Sequence, residues 1–536
     1  MELIDQRTKK IMEECKVRAR DAGLSFDNET LEYIVTNKDM VDLSPKVMIP
    51  TLYDYWVHDV EVLKGHGKYK LYPNNPYETV INSRPAISFY NDNNPDWMNI
   101  MIFYHVLAHI DFFQNNKMFE NTWNDDFVGK ALADKRLIAN LRSEHGRWVD
   151  YVIEFSRSID NIVGYFDYIS ALNYNTKLDP TAAITFYFDV FLQEIVKVPG
   201  HEIFKEIERY NNLRDSNKEQ AESLFFSEVK SKYPEFQAKF EKHSNKREKE
   251  FVDVLQFIHD NSPFLRKESN SWMKLVMNVV RNTSLYFQPQ IRTKIINEGW
   301  ASYWHDKLFR SDPRIAGHEI GYAKLNAGVT ALRRVGLNPY AIGLRLIEHV
   351  ENLANKGQIS RDFQVLDSFQ AKENFDRKTG KGQETIFELR KHFSDFTLIN
   401  SYVSQDFVDE HNLFVVGQHL DQSRNVIQYY VKSRKAADYK KMLIDSLYHP
   451  PRISVNKAKT SDENLYMVHH FEGKQLIQQF VPDTLLGLEF LWGGQVQLET
   501  TDIVVQKPQN QNEKPKYELR KVLYTIKDKK VTKQNL

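Results

Sequence analysis

The sequence predicts a mainly α N-terminal helical domain followed by a smaller α+β C-terminal domain. Three observations carry this. Apolar residues recur at helical spacing from residue 1 to about 360. A polar, glycine-containing stretch, "AKENFDRKTGKGQET" (371–385), interrupts that pattern. Short β-branched and aromatic runs follow it. The expected organisation is a helical domain over 1–370, a linker or long loop over 371–385, an α+β domain over 386–506 and a polar Lys-rich tail over 507–536.

Within the helical part, Pro180, Pro199-Gly200, Pro234, Pro263 and Pro313 punctuate long segments. "GLNPYAIGLRLIEHVENLANKG" shows both ends of one helix: Asn338 can cap it, Pro339 suits its first position and Gly357 its exit. A helix containing "INEGWASYWH" (296–305) is expected to start after Pro289 and stop before Pro313. The charge-dense stretch from 205 to 250, "REKEF" included, reads as solvated surface helices. The 371–385 stretch is no phosphate-binding loop, because Gly380-Lys381-Gly382 lacks the G-x-x-x-x-G-K-[ST] spacing. In the last third, "NLFVVGQ", "NVIQYYVKS", "RISVNKA", "NLYMVHHF" and "QVQLETTDIVVQ" read as strands, interspersed with helix-like "ADYKKMLIDSLYH" and "TLLGLEFLWG". The tail beyond Lys507 carries one more strand-like run, "YELRKVLYTI".

Composition excludes several classes of function. A chain of 536 residues that is 41% hydrophobic can bury substantial cores. Lys+Arg and Asp+Glu both total 72, so no global field favours nucleic acid or an anionic membrane surface. The N-terminus, "MELIDQRTKK", lacks the apolar core of a signal peptide, and no stretch reaches the roughly 20 apolar residues that cross a bilayer. Cys15 is the sole cysteine, which excludes an internal disulfide and a cysteine-rich zinc module. A soluble, cytoplasmic protein is expected, and any metal it holds must be held by His, Asp and Glu.

"FYHVLAHIDFFQNN" (103–116) places His105 and His109 four apart in an otherwise apolar helix. At about 100° per residue the two rings lie about 40° apart on one face, and Asp111 points about 120° away. Burying two imidazoles requires partners for both, and one shared metal supplies them. In the second helix Glu298 and His305 are seven apart, about 20° in projection, with Gly299 and Ala301 keeping the surface open. His105, His109, Glu298 and His305 are thus the candidate ligands for zinc or another divalent ion, iron and manganese included. Against this stands a purely structural reading, in which both helices carry buried hydrogen-bonded polar groups.

"HVLAHIDFFQNN", "INEGWASYWH", "LNPYAIG", "PPRISVNKA", "LYMVHHFEG" and "LEFLWGGQVQLET" together resemble the SpoVR (stage V sporulation protein R) family from roughly residue 80 to 505. That resemblance implies a cytoplasmic bacterial protein linked in spore formers to spore cortex assembly. It attaches no biochemical activity. "NEGWASYWH" is also similar to the N-E-G-x-A helix of gluzincin peptidases, whose glutamate is the third zinc ligand after H-E-x-x-H. On that likeness His105 and His109 match the two histidine ligands and Glu298 the glutamate. Two departures stand out: Val106 occupies the place of the general base, and about 190 residues separate the helices.

Hydrolysis needs a group that moves a proton to the leaving amine. With valine at 106 the candidates are His305, if it is not a ligand, Glu144 in "LRSEHGRW" and Glu319 in "GHEIGY", with His145 and His318 beside them. The leading expectation is a metal-dependent hydrolase acting on an amide in a peptide-like or peptidoglycan-related substrate. The alternative is a non-catalytic regulatory or scaffold protein whose partner is another protein.

Overall fold

The computed structural model describes residues 2–27, 29–36, 39, 78–122, 127–163, 182–198, 200–216, 221–241, 253–421, 426–506 and 516–536. Pro180, Pro199, the "REKEF" run and residues 507–515 lie outside them. The N-terminal region is mainly helical and the C-terminal region mixes strands with helices, as the periodicity predicts. The chain divides into two compact units, each made of two separate stretches: Met1–Gly146 with Asn282–His449, and Arg147–Arg281 with Pro450–Leu536.

The first unit contains a four-stranded sheet that periodicity did not single out. Its strands are β1 (Glu2–Leu3), β2 (Thr30–Val35), β3 (Glu78–Ile81) and β4 (Ala86–Asn91), in the order β1-β2-β4-β3. β2 and β4 run parallel, and the outer pairs are antiparallel. Helix α1 (Gln6–Asp21) opens on Asp5, whose carboxylate accepts from the Thr8 N–H at 2.7 Å. Helix α2 (Asp96–Asn115) is buried at every position from Ile100 to Phe113. A helix apolar all round must be enclosed, and α2 packs against α1, α3 (Lys294–Ser311) and α6 (Gly382–His392).

Helix α4 (Glu319–Val329) follows α3, and α5 (Pro339–Lys356) has the predicted ends. The Asn338 side chain accepts from the Tyr340 N–H, Pro339 starts the first turn and Gly357 takes the left-handed conformation at φ 76°. Helices α3 and α5 cross at two glycines, Gly299 and Gly343, where a Cβ on either would run into the other helix's backbone. Helix α7 (Asp395–Tyr402) supplies the start of α3. The N–H groups of Ile295 and Ile296 donate to the two oxygens of Asp395, each at 2.9 Å. Pro289 is therefore not the start of that helix. It lies inside the preceding helix, Trp272–Arg292, and Thr293 donates its hydroxyl to the Pro289 carbonyl.

Of the 371–385 stretch, residues 374–381 form the loop between helix Phe369–Glu373 and α6, and the whole stretch lies within the first compact unit. The Arg377 N–H donates to the Lys356 carbonyl and the Thr379 hydroxyl to that of Ala354, which ties the loop to the end of α5. Hairpin β5 (Val415–Asp421) and β6 (Val426–Ser433) belongs to the same unit.

The second unit holds a five-stranded sheet, β11-β10-β9-β8-β7. Its strands are β7 (Arg452–Val455), β8 (Asn464–His470), β9 (Gln495–Gln506), β10 (Lys516–Lys527) and β11 (Lys530–Asn535). β8 and β9 are parallel, joined through helix Val481–Trp492. The expected polar tail is thus sheet over most of its described length. Val522, Tyr524 and Ile526 are buried while Lys521 and Lys527 stay in water, and the strand-like run "YELRKVLYTI" is β10. In the charge-dense region, helices Gly200–Ser216 and Ala221–Lys232 keep charged faces outward. Phe225, Phe226 and Val229 of the latter turn into an aromatic cluster with Tyr187 and Phe191.

Candidate metal centre

Helix α2 brings His105 and His109 to one buried stripe, and their Nε2 atoms lie 3.1 Å apart. Helix α3 presents Glu298 to both, its Oε2 lying 3.6 Å from His109 Nε2 and 4.0 Å from His105 Nε2. One donor atom from each of the three residues falls within 4.8 Å of the others. Nitrogens bound to one tetrahedral zinc at about 2.0–2.1 Å stand about 3.3 Å from each other, so the pair has the separation a common ion requires. Glu298 keeps 17% of its side-chain surface exposed and the histidines 7%, and the carboxylate oxygen that faces them, Oε2, is buried.

Each ring is held through its other nitrogen. His109 Nδ1 meets the Asn297 side-chain oxygen at 2.9 Å, and His105 Nδ1 meets His305 Nδ1, also at 2.9 Å. Tyr340 stacks over His105 and Phe113 over His109. Burial, followed by the neighbouring His109 and His305 rings, holds the His105 pKa well below the usual imidazole range. Burial pushes His305 down to about 4. Both rings are neutral at physiological pH, the state in which an imidazole nitrogen can ligate a cation.

Two further buried carboxylates fix the helices that carry the cluster. Asp111 accepts from the Trp300 indole at 2.9 Å and from the Ser25 N–H at 2.7 Å, with Arg390 3.5 Å away; burial raises its pKa to about 6. Asp111 therefore ties α2 to α3 rather than joining the cluster. Asp395, which caps α3, is raised to about 7, burial outweighing its backbone donors.

Of the residues the sequence offered, His105, His109 and Glu298 converge and His305 does not join their donor atoms. His305 sits behind His105 and spends its second nitrogen on Asn326 at 3.1 Å. Glu144 is exposed and pairs with His145 at 3.8 Å. Glu319 is exposed in the first turn of α4, and His318 stacks on Trp97. Among the described residues, Glu144 and Glu319 are not brought into the cluster of His105, His109 and Glu298. Val106 is fully buried in the apolar core. Sequence reasoning missed Asn297, Asn326, Asp306 and Tyr340. Asn297 and Tyr340 lay inside quoted motifs, while nothing in the sequence singles out Asn326 or Asp306.

A mainly helical unit with two histidines and a glutamate converging from two crossing helices defines the kind of protein this is. The chain belongs to the SpoVR family: residues 3–449 match the family described as SpoVR like protein, and the whole cluster lies inside that span. It is similar to "Uncharacterized protein YcgB" of Escherichia coli (strain K12), 22% identical over 411 residues that cover 73% of this chain and 70% of that protein. No solved structure matches it significantly. Among the described residues no helix is long and apolar enough to cross a membrane.

Proposed function

We propose that His105, His109 and Glu298 hold a divalent ion, zinc in the first instance, and that the protein is a cytoplasmic metal-dependent hydrolase of an amide or peptide-type bond. The observation that carries this reading is the convergence of two imidazole nitrogens and a carboxylate oxygen within 4.8 Å of one another. A bound zinc would supply Lewis acidity, polarising a carbonyl and acidifying a water. His109, steadied by Asn297, and His105, steadied by His305, would orient the ion, and Glu298 would lower the charge of the site. Three protein ligands would leave a position on the ion for water or substrate. The family's link to sporulation supports an amide-bearing precursor of the spore cortex as the substrate. Two histidines with one carboxylate also suit iron or manganese, so the identity of the metal decides between hydrolysis and redox chemistry.

A second reading, a non-catalytic scaffold with a structural polar cluster, is favoured by one observation: the position of the gluzincin base is a buried valine. Elemental mass spectrometry separates the two, on protein purified without a metal-binding tag and on the His109→Ala and Glu298→Ala variants. About one ion per chain, lost in both variants, is expected. Stoichiometric metal unchanged in both, or no metal in the folded wild type, overturns the metal site.

A further inference from the structure

We propose that Asp306, which touches none of the three converging residues, decides which nitrogen of His105 is free to bind a cation. The Asp306 Oδ1 accepts from Arg310 Nε at 2.8 Å, from the Tyr322 hydroxyl and from Asn326 Nδ2 at 3.0 Å. A carboxylate paired with a guanidinium accepts and does not donate, so the Asn326 amide must turn its N–H₂ towards Asp306. Its oxygen then faces His305 Nε2 at 3.1 Å, and an amide oxygen can only accept. His305 therefore carries its proton on Nε2, and its Nδ1 is a bare lone pair.

That lone pair lies 2.9 Å from His105 Nδ1. Two neutral rings that meet nitrogen to nitrogen share one proton, so His105 is the donor and holds its proton on Nδ1, and the Ala301 carbonyl is a further acceptor for that ring. The Nε2 of His105 is left bare, directed at His109 Nε2 and Glu298. Four residues on three helices thus convert one surface carboxylate into one tautomer in the core. Orienting partners of this kind commonly govern metal affinity.

The effect on metal binding rests on the function proposed above; the tautomer does not. In metal-free protein with ¹⁵N-labelled histidine, long-range proton–nitrogen correlations report each ring's tautomer directly. The wild type is expected to show His305 as Nε2–H and His105 as Nδ1–H. In Asp306→Asn the new amide can donate, Asn326 can turn over, and both rings should become tautomer mixtures. Zinc affinity, read by competition with a chromophoric chelator, should fall about 10- to 100-fold. The double variant Asp306→Asn/Asn326→Asp puts an acceptor directly on His305 Nε2 and should restore both the tautomers and the affinity, a rescue that a merely structural Asp306 would not give. Nε2–H on His105 in the wild type, or unchanged tautomers in Asp306→Asn, overturns the inference. Correct tautomers in a protein that binds no metal would overturn the metal centre and leave the relay standing.

Discussion

Gly343→Ala tests whether the close crossing of α3 and α5 positions Glu298. A Cβ at 343 would stand 2.1 Å from the Ile295 carbonyl oxygen and 2.8 Å from the Gly299 Cα, where ordinary contact begins at 3.4 Å. Both obstacles are backbone, so the helices must part by about 1 Å to admit one methyl group. Overpacking of this kind costs about 1–3 kcal/mol, and with no side chain free to yield the upper end is expected. Glu298 adjoins Gly299, so the same displacement carries its carboxylate away from His105 and His109. Ligand positions in a metal site tolerate only about 0.2 Å. The variant should therefore unfold at lower urea and lose its metal together. Gly328→Ala is the control: a Cβ there meets nothing within 4 Å, and the change removes a helical glycine. It should leave stability equal or higher by about 0.5–1 kcal/mol. Gly343→Ala matching the wild type in urea midpoint and metal content would refute the argument that this crossing sets the geometry.

Two further substitutions probe the buried groups around the cluster. Asp395 holds its proton more tightly folded, at about 7, than in its ordinary range near 3.8. Its contribution to stability is thus complete below about pH 4 and lost as pH rises through 7, so Asp395→Asn should flatten the fall in urea midpoint between those values; parallel pH profiles would contradict this. Val106→Glu restores the letter pattern of a metalloprotease helix, but it buries a carboxylate among apolar residues at a fully enclosed position, and the variant should lose more than about 3 kcal/mol of stability. A well-folded Val106→Glu protein with new amidase activity would instead place that position at the cluster and strengthen the gluzincin comparison.

The sequence made α2 legible because two polar rings interrupt an otherwise continuous apolar run, and α5 legible because Asn338, Pro339 and Gly357 act on their own neighbours. Glu298 was singled out with its neighbours in "INEGWASYWH", and the fold sets it beside the two histidines. His305 shows where that reasoning stops. Projecting a helix onto a circle sets Glu298 and His305 side by side, but seven residues also rise about 10 Å along the axis, too far for both to reach one ion. His305 meets the far side of His105 instead. The start of α3 was illegible for a different reason: its cap is Asp395, about a hundred residues away, while the local signal of Pro289 sits inside another helix. The unit boundaries escaped because the chain leaves each unit and returns, which no local change of composition records.

The placement of polar groups bears on whether the cluster is only structural. Two histidines, Asp111, Asp395 and His305 lie in a core otherwise built from residues such as Phe103, Leu107, Trp300 and Trp304. Apolar side chains of similar volume usually hold such a core at least as well, because each buried polar group must first recover its lost hydration. Asp111 and Asp395 recover it by joining helices: one receives the Trp300 indole and the other the buried first N–H groups of α3. His305 recovers it from Asn326. The Nε2 atoms of His105 and His109 differ from these, since each already has its Nδ1 engaged and faces the other and a carboxylate. A helix junction already secured by Asp111, Asp395 and the paired glycines does not need three further donor atoms gathered at one point. That contrast is what supports the proposal that these three atoms hold a cation.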